Sequence, residues 1–90
     1  MCNLIFAKIP ILPNGSDVIS NENPAIFYTS GQNTYTNSPF AASNQNFAIY
    51  VRFGSGSKYL IIAYTPNGAV AYIGCQYDNW QGWKKVTLEN

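Results

Sequence analysis

The stretch that decides the fold is "FAIYVRFGSGSKYLIIAYTPNGAVAYIGCQY", residues 47–77. Its first seven residues alternate between two faces, as the side chains of a β-strand do. One face receives Phe47, Ile49, Val51 and Phe53, and the other receives Ala48, Tyr50 and Arg52. "GSGS" at 54–57 and "TPNG" at 65–68 place turns before the two apolar runs that follow. The stretch therefore predicts a half-buried strand and two further strands, joined as an antiparallel meander.

The middle run, "KYLIIAY" at 58–64, carries apolar side chains on both of its faces. Leu60, Ile62 and Tyr64 alternate with Tyr59, Ile61 and Ala63. Such a run is typical of a central strand in a sheet that is covered on both sides. The second layer would come from the N-terminal strands or from another copy of the chain. The predicted fold class is all-β, a small antiparallel β-sandwich or meander.

The residues on either side of the meander predict shorter elements. "NLIFAKI" at 3–9 is a candidate first strand, "NGSD" at 14–17 a turn and "AIFYT" at 25–29 a short strand. Residues 30–46 form a long polar loop, of a length that is more often functional than merely connecting.

After the meander, "DNWQG" at 78–82 predicts a turn and "WKKVTL" at 83–88 a final strand. Trp83, Val86 and Leu88 share a face of that strand only if it contains a local irregularity.

Composition excludes several classes of partner. Charged residues are 10% of the chain, against about 25% in an average globular domain, and hydrophobic residues are 47%. A net charge of +1 cannot neutralise nucleic-acid phosphates, so no nucleic-acid partner is expected. The apolar N-terminal residues lack the features of a signal peptide and are too short to span a bilayer. No membrane insertion is expected.

Catalysis and metal binding are not expected either. The chain has no histidine to act as a base, no serine in a nucleophile-elbow pattern and no phosphate-binding glycine loop. Cys2 and Cys75 cannot complete a tetrahedral zinc site within one chain, and the four acidic residues are scattered. We therefore expect a non-enzyme without a cofactor.

The candidate ligand-binding residues lie near the two tryptophans and in the polar loop. Trp80 stands in the predicted turn between Asn79 and Gln81, where an exposed indole can stack on a sugar while the amides bond its hydroxyls. Subunit packing is the alternative role for Trp80, and Trp83 is expected to plug the end of the sheet. Three further candidate contacts complete the set: Tyr77 beside the turn, and Tyr35 and Asn33 in the loop.

From residue 24 to residue 86, the order of these features resembles the knob-like C-terminal domains of phage tail fibres and pyocin tail fibres. The corresponding pieces are "AIFYTSGQNTYTNSP", "FAIYVRF", "KYLIIAYTPNG", "AVAYIGCQYDN" and "WQGWKKV". The W-x-x-W-K-K segment at 80–85 is the most specific of them. Many such domains carry an arginine after the Tyr-Ile pair, where this chain has Gly74. A ligand contact from that arginine is therefore not expected here.

The resemblance implies a virion protein, made in the bacterial cytoplasm, that ends a tail fibre as a homotrimer beside other tail proteins. Its function would be to bind a host-surface receptor, a glycan or a protein. A small, charge-poor β domain would also gain from burying apolar faces between copies. Residues 24–88 would form the knob-like region of a single domain, and residues 1–23 have no assigned role. The alternatives left open are a structural module that nucleates trimerisation or caps a fibre, and a free small lectin.

Overall fold

The computed structural model describes residues 9–40 and 47–87, apart from the side chain of Ser55. Within those ranges the chain contains five strands and no helix. The strands are β1 (Ile26–Thr29), β2 (Ala48–Ser55), β3 (Lys58–Thr65), β4 (Val70–Tyr77) and β5 (Asn79–Val86). They form one antiparallel sheet in chain order, β1-β2-β3-β4-β5. The all-β prediction is confirmed, and β3 is the central strand as predicted.

Left-handed backbone residues mark two of the turns between strands. Gly56, with a φ of +61°, lies in the turn from β2 to β3. Asp78, with a φ of +68°, is the single residue between β4 and β5, and aspartate tolerates this conformation better than most residues. Its backbone N–H donates to the Ser57 carbonyl at 2.9 Å. The prediction of a turn over 78–82 is wrong in extent, because β5 already begins at Asn79.

A β-bulge in β5 places both tryptophans on one face of the sheet. Gly74 pairs with Trp83 and Gln76 pairs with Trp80, so two steps along β4 match three steps along β5. Residues three apart in a regular strand would point to opposite faces. Gly82, with a φ of +90°, provides the left-handed residue that a bulge of this kind needs.

Some predicted features lie outside the described residues. They are the strand at 3–9 except for Ile9, residues 41–46 of the polar loop, Cys2 and Leu88. Ile9 itself is not in a strand. Trp83 and Val86 point to opposite faces of β5, because the bulge at Gly82 lies before both of them and the alternation after it is regular.

One face of the sheet, which we call the covered face, packs against two segments that form only isolated bridges. These segments, residues 9–24 and 30–40, contribute Leu12, Val18 and Phe40 to the hydrophobic core. The sheet contributes the other buried core residues: Phe27, Ala48, Tyr50, Tyr59, Ile61 and Ala63. One covering layer therefore comes from the chain itself, which is one of the two sources that the sequence predicted.

Polar contacts hold the first of these segments against the sheet. The Tyr59 hydroxyl donates to the Ile19 carbonyl at 3.1 Å. The Arg52 guanidinium lies 4.7 Å from the centre of the Tyr59 ring and donates to the carbonyls of Ser20 and Asn21. These bonds satisfy backbone carbonyls of residues 19–21 and hold this part of the covering segment in place over the sheet.

Candidate interaction surface

The opposite face of the sheet carries no such layer among the described residues, and we call it the open face. Strand alternation and register assign the following large apolar side chains to it: Ile26, Tyr28, Phe47, Ile49, Val51, Phe53, Leu60, Ile62, Tyr64, Ile73 and Tyr77. In β2 the buried residues are thus Ala48 and Tyr50, and the more hydrophobic set is the exposed one.

Exposure of large apolar side chains is concentrated on this face. Of the nine that are exposed among the described residues, all but Ile9 and Ile11 belong to the open face. Phe53 is 53% exposed and Tyr77 is 64% exposed. Five strands side by side make the apolar area continuous, and soluble monomers rarely show contiguous patches larger than a few hundred Å². A surface of this kind is typical of a protein–protein interface.

Charge is confined to the margins of the open face. Lys58 Nζ lies 2.9 Å from Asp78 Oδ1 at one end of β3, and this ion pair is solvent-exposed. Lys84 lies on β5, at the edge of the sheet. The centre of the face, around Ile62, is uncharged. This arrangement of apolar centre and polar rim is the usual anatomy of an interface.

A cleft of about 250 Å³ opens near the β5 edge of this face. It is lined by Ile73, Cys75, Gln81, Gly82, Lys84 and Val86. The bulge accounts for the cleft, because small Cys75 faces a stretch of β5 in which Gly82 has no side chain. The cleft gives a mostly flat face one concave, largely apolar feature.

The structure separates Trp80 from its two amide neighbours. Trp80 is part of β5, so the side chains of Asn79 and Gln81 point to the opposite face of the sheet. The Trp80 ring is half-buried and meets the Trp83 ring edge to face, with centroids 5.3 Å apart. Both rings lie over Gly74: a Cβ there would lie 2.8 Å from Trp83 Cε3 and closer still to Trp80 Cη2.

Trp83 is also tied to the polar loop. Its indole N–H donates to the Asn37 carbonyl at 2.7 Å, which fixes residues 30–40 over the β5 side of the covered face. Its ring meets the Tyr50 ring edge to face at 6.3 Å. The expected structural role of Trp83 agrees with these contacts.

Three of the predicted contact residues come together at one corner of the open face. Tyr77 pairs with Asn79 across the turn, and the Gln81 side-chain amide donates to the Asn79 carbonyl at 2.9 Å. The Tyr77 ring lies 4.8 Å from Lys58 Nζ. We call Tyr77, Asn79 and Gln81 the polar corner. All three are exposed, so the corner offers an aromatic ring beside two amides.

Tyr35 and Asn33 lie elsewhere and are engaged within the chain. The Tyr35 hydroxyl donates to the Leu12 carbonyl at 2.7 Å and accepts from the Ser30 N–H at 3.1 Å and the Asn33 amide at 3.0 Å. A phenolic oxygen has one proton and two lone pairs, so its hydrogen-bonding capacity is filled. Leu12 in turn bonds Tyr28 of β1, at the opposite edge of the sheet from β5. The loop residues and the polar corner are therefore separate places.

The open face lies outside the set of ligand-binding residues predicted from the sequence, apart from Tyr77. The signal was present in "KYLIIAY", whose two apolar faces predict a second cover for the sheet. The described residues provide only one cover. The second face of β3 carries Leu60, Ile62 and Tyr64, and the described residues do not cover it.

Three further observations bear on the class of site. Among residues 9–40 and 47–87, no group of three or more His, Cys, Asp or Glu side chains is placed to hold a metal ion. No helix in that part of the chain is long and apolar enough to cross a bilayer. Comparison of the chain with protein-family models, curated proteins and solved structures found no match.

Proposed function

We propose that this chain is an attachment domain that works in an assembly of copies, as the terminal domain of a phage tail fibre does. The observation that carries the proposal is the open face, a continuous apolar sheet surface without a charged centre. Exposed alone in water, such a face favours association. The order of strands and the W-x-x-W-K-K segment support the tail-fibre setting through resemblance.

The proposed activity is binding without catalysis. In the virion, copies of the chain, three by the resemblance, would end a fibre beside other tail proteins and contact the host surface. The receptor would be a glycan or a protein of that surface.

The polar corner is the part of the surface best suited to the receptor contact. Tyr77 presents an exposed ring, which can stack on the C–H face of a sugar. Asn79 and Gln81 present amide groups within reach of the same ligand, which can bond hydroxyls. Trp80 and Tyr35, by contrast, are engaged in packing and internal hydrogen bonds.

One observation favours a second function, a structural cap or trimerisation module. Trp80 and Trp83 pack on Gly74, so the most specific segment of the resemblance serves the core of the domain. In that case the polar corner would be an ordinary solvated rim.

The test is binding of the labelled protein to a panel of bacterial cells and to their surface glycans. We expect Asn79→Ala combined with Gln81→Ala to abolish binding while oligomeric mass and thermal stability are unchanged. Thr87→Ala, an exposed polar change near the other end of β5, is the matched control and should bind normally. Retention of full binding by the double variant would remove the polar corner as the receptor site. Absence of binding to any cell or glycan would favour the structural cap.

A further inference from the structure

The edges of the sheet are poorly suited to pairing with another chain. At β1, Tyr28 already bonds the neighbouring segment: its N–H donates to the Pro10 carbonyl at 3.0 Å, and its carbonyl accepts from the Leu12 N–H at 2.9 Å. At β5, the last strand of the described sheet, the bulge interrupts regular pairing and Lys84 and Lys85 add positive charge to the edge. Both are devices by which natural sheets avoid edge-to-edge association. Association is therefore left to the open face.

We propose that a second copy of the chain covers the open face, related by a twofold axis along β3, so that β2 of each copy packs on β4 of the other. The inference rests on one part of the proposed function, the association of copies through the open face, and it puts a twofold pair in place of the three copies that the resemblance implies. Two sheets packed in this way form an aligned β-sandwich between copies.

Side-chain size along β2 and β4 favours this axis. Phe53 and Cys75 flank Leu60 at one level of the sheet. A rotation about β3 exchanges β2 and β4 at the same level, so Phe53 of each copy faces the small Cys75 of the other. Phe53 is more than half exposed, and Cys75 lines the cleft that would receive the ring.

A second level of the sheet shows the same pairing of large with small. Ile49 and Ala71 flank Tyr64 in the register. The same rotation places Ile49 of each copy over Ala71 of the other. Because packed sheets interdigitate their side chains, alternating large and small partners fill the layer without voids.

The area of the face is sufficient for a stable pair. Five strands spaced about 4.8 Å apart and up to eight residues long give a footprint of about 500 to 600 Å² before side-chain relief is counted. Stable interfaces take about 600 to 1,000 Å² of accessible surface from each partner. The open face therefore reaches the scale of a standard interface.

Charge does not oppose self-association. Lys58 would approach the same residue of the second copy near the axis, but each is paired with Asp78 at the rim. Lys84 lies at the sheet edge, where its long stem lets the ammonium remain in water.

The same geometry leaves the two amides of the polar corner accessible and places Tyr77, at the end of β4, on the rim of the interface. β5 of one copy faces β1 of the other, and β1 has only four residues. Across the sheet, Tyr28 of β1 lies at the same level as Val86 of β5. β1 of one copy therefore covers the C-terminal part of β5 of the other. Asn79 and Gln81 lie beyond its reach.

The test begins with mass by light scattering over a wide range of protein concentration. We expect a dimer, and we expect Ile62→Lys at the centre of the face to weaken dimerisation roughly 30-fold or more, because it buries an unpaired charge. Glu22→Lys, exposed and away from the open face, is the control. A protein that stays monomeric at every concentration overturns the inference, and so does a trimer.

Cross-linking tests the axis. In a Cys2→Ser, Cys75→Ser background, Ile62→Cys gives a single thiol on the proposed axis, opposite its own copy. A short bismaleimide should join two copies, since packed sheets lie about 10 Å apart. Glu22→Cys in the same background should not cross-link. Failure of the Ile62→Cys thiol to cross-link would contradict the proposed axis.

A mixing experiment tests which strands meet. Val51 and Ile73 flank Ile62 and would face each other across the axis. Val51→Lys and Ile73→Glu should each be monomeric and should form a heterodimer when mixed. If they do not, β2 does not pack on β4. If the protein is a dimer but binds no cells, the proposed attachment function is contradicted and the dimer geometry is not.

Discussion

The two faces of this sheet are built from the same strands and carry similar residues, yet only one of them is buried. Phe27 and Tyr50 on the covered face are 2% and 1% exposed and stack with ring centroids 4.9 Å apart. Phe53 and Tyr64 on the open face are 53% and 36% exposed. The difference shows that burial here is set by what lies over a face, because hydrophobicity alone would have buried the Phe53 side of β2.

A matched pair of phenylalanine truncations should show the largest contrast between the faces. We expect Phe27→Ala to lower the free energy of unfolding by about 3 to 5 kcal/mol, through lost burial and the cavity it leaves. Phe53→Ala should change it by less than about 1 kcal/mol at protein concentrations where the chain is monomeric. Urea unfolding monitored by fluorescence measures both values, and the milder Phe27→Leu keeps the comparison usable if Phe27→Ala does not fold. Equal losses would show that the open face is packed within one chain.

Alkaline titration should test the burial of Tyr50 on the covered face. Burial raises the pKa of Tyr50 to about 12, although a hydrogen bond with Ser38 opposes the shift. Between pH 10 and pH 12 the unfolded chain releases this proton while the folded chain retains it, so stability falls as pH rises. The expected loss is about 2 kcal/mol by pH 12.

The contribution of Tyr50 is isolated by comparison with Tyr50→Phe, because other groups titrate in the same range. The stability of that variant should fall less steeply from pH 10 to pH 12 in urea titrations. Parallel curves for the variant and the wild-type protein would contradict the prediction.

The contact of both indoles with Gly74 should give a smaller but specific effect. Gly74→Ala places a methyl group against the Trp80 and Trp83 rings and should cost about 1 to 3 kcal/mol through overpacking. Gly31→Ala is the control, since a Cβ there has no neighbour closer than 3.9 Å. Thermal unfolding with tryptophan fluorescence measures both. An unchanged melting temperature for Gly74→Ala would contradict the packing of the indoles over β4.

The smallest expected effect concerns the rim of the open face. Asp78→Asn removes the exposed ion pair with Lys58 but keeps a residue that tolerates the left-handed backbone. We expect a loss below about 1 kcal/mol, as for other surface ion pairs. Asp78→Val should cost more, because a β-branched residue is strained at a φ of +68°. Equal losses for the two variants would show that the charge, and not the backbone, matters at this turn.

The described strands and most turns follow from local chemistry. Glycine and proline at 54–57 and 65–68, together with alternating apolar residues, predict β2, β3 and β4 closely. The turn at 78–82 was mispredicted, because Asp78 alone reverses the chain and polar residues around Trp80 resemble a loop. The candidate site was predicted in part: Tyr77, Asn79 and Gln81 come together, whereas Trp80 and Tyr35 do not join them.

By itself, the sequence determined an all-β meander with β3 at its centre, because strand alternation and turn preference depend on neighbouring residues. Only the tertiary structure decided which face is covered and where each indole points. Those outcomes depend on contacts between residues far apart in the chain, such as Trp83 with Asn37 and Tyr59 with Ile19. Gly82 is one extra residue in β5, so it shifts the alternation of side chains between the two faces by one position. The bulge is the reason that Trp80 and Trp83, three residues apart, lie on the same face.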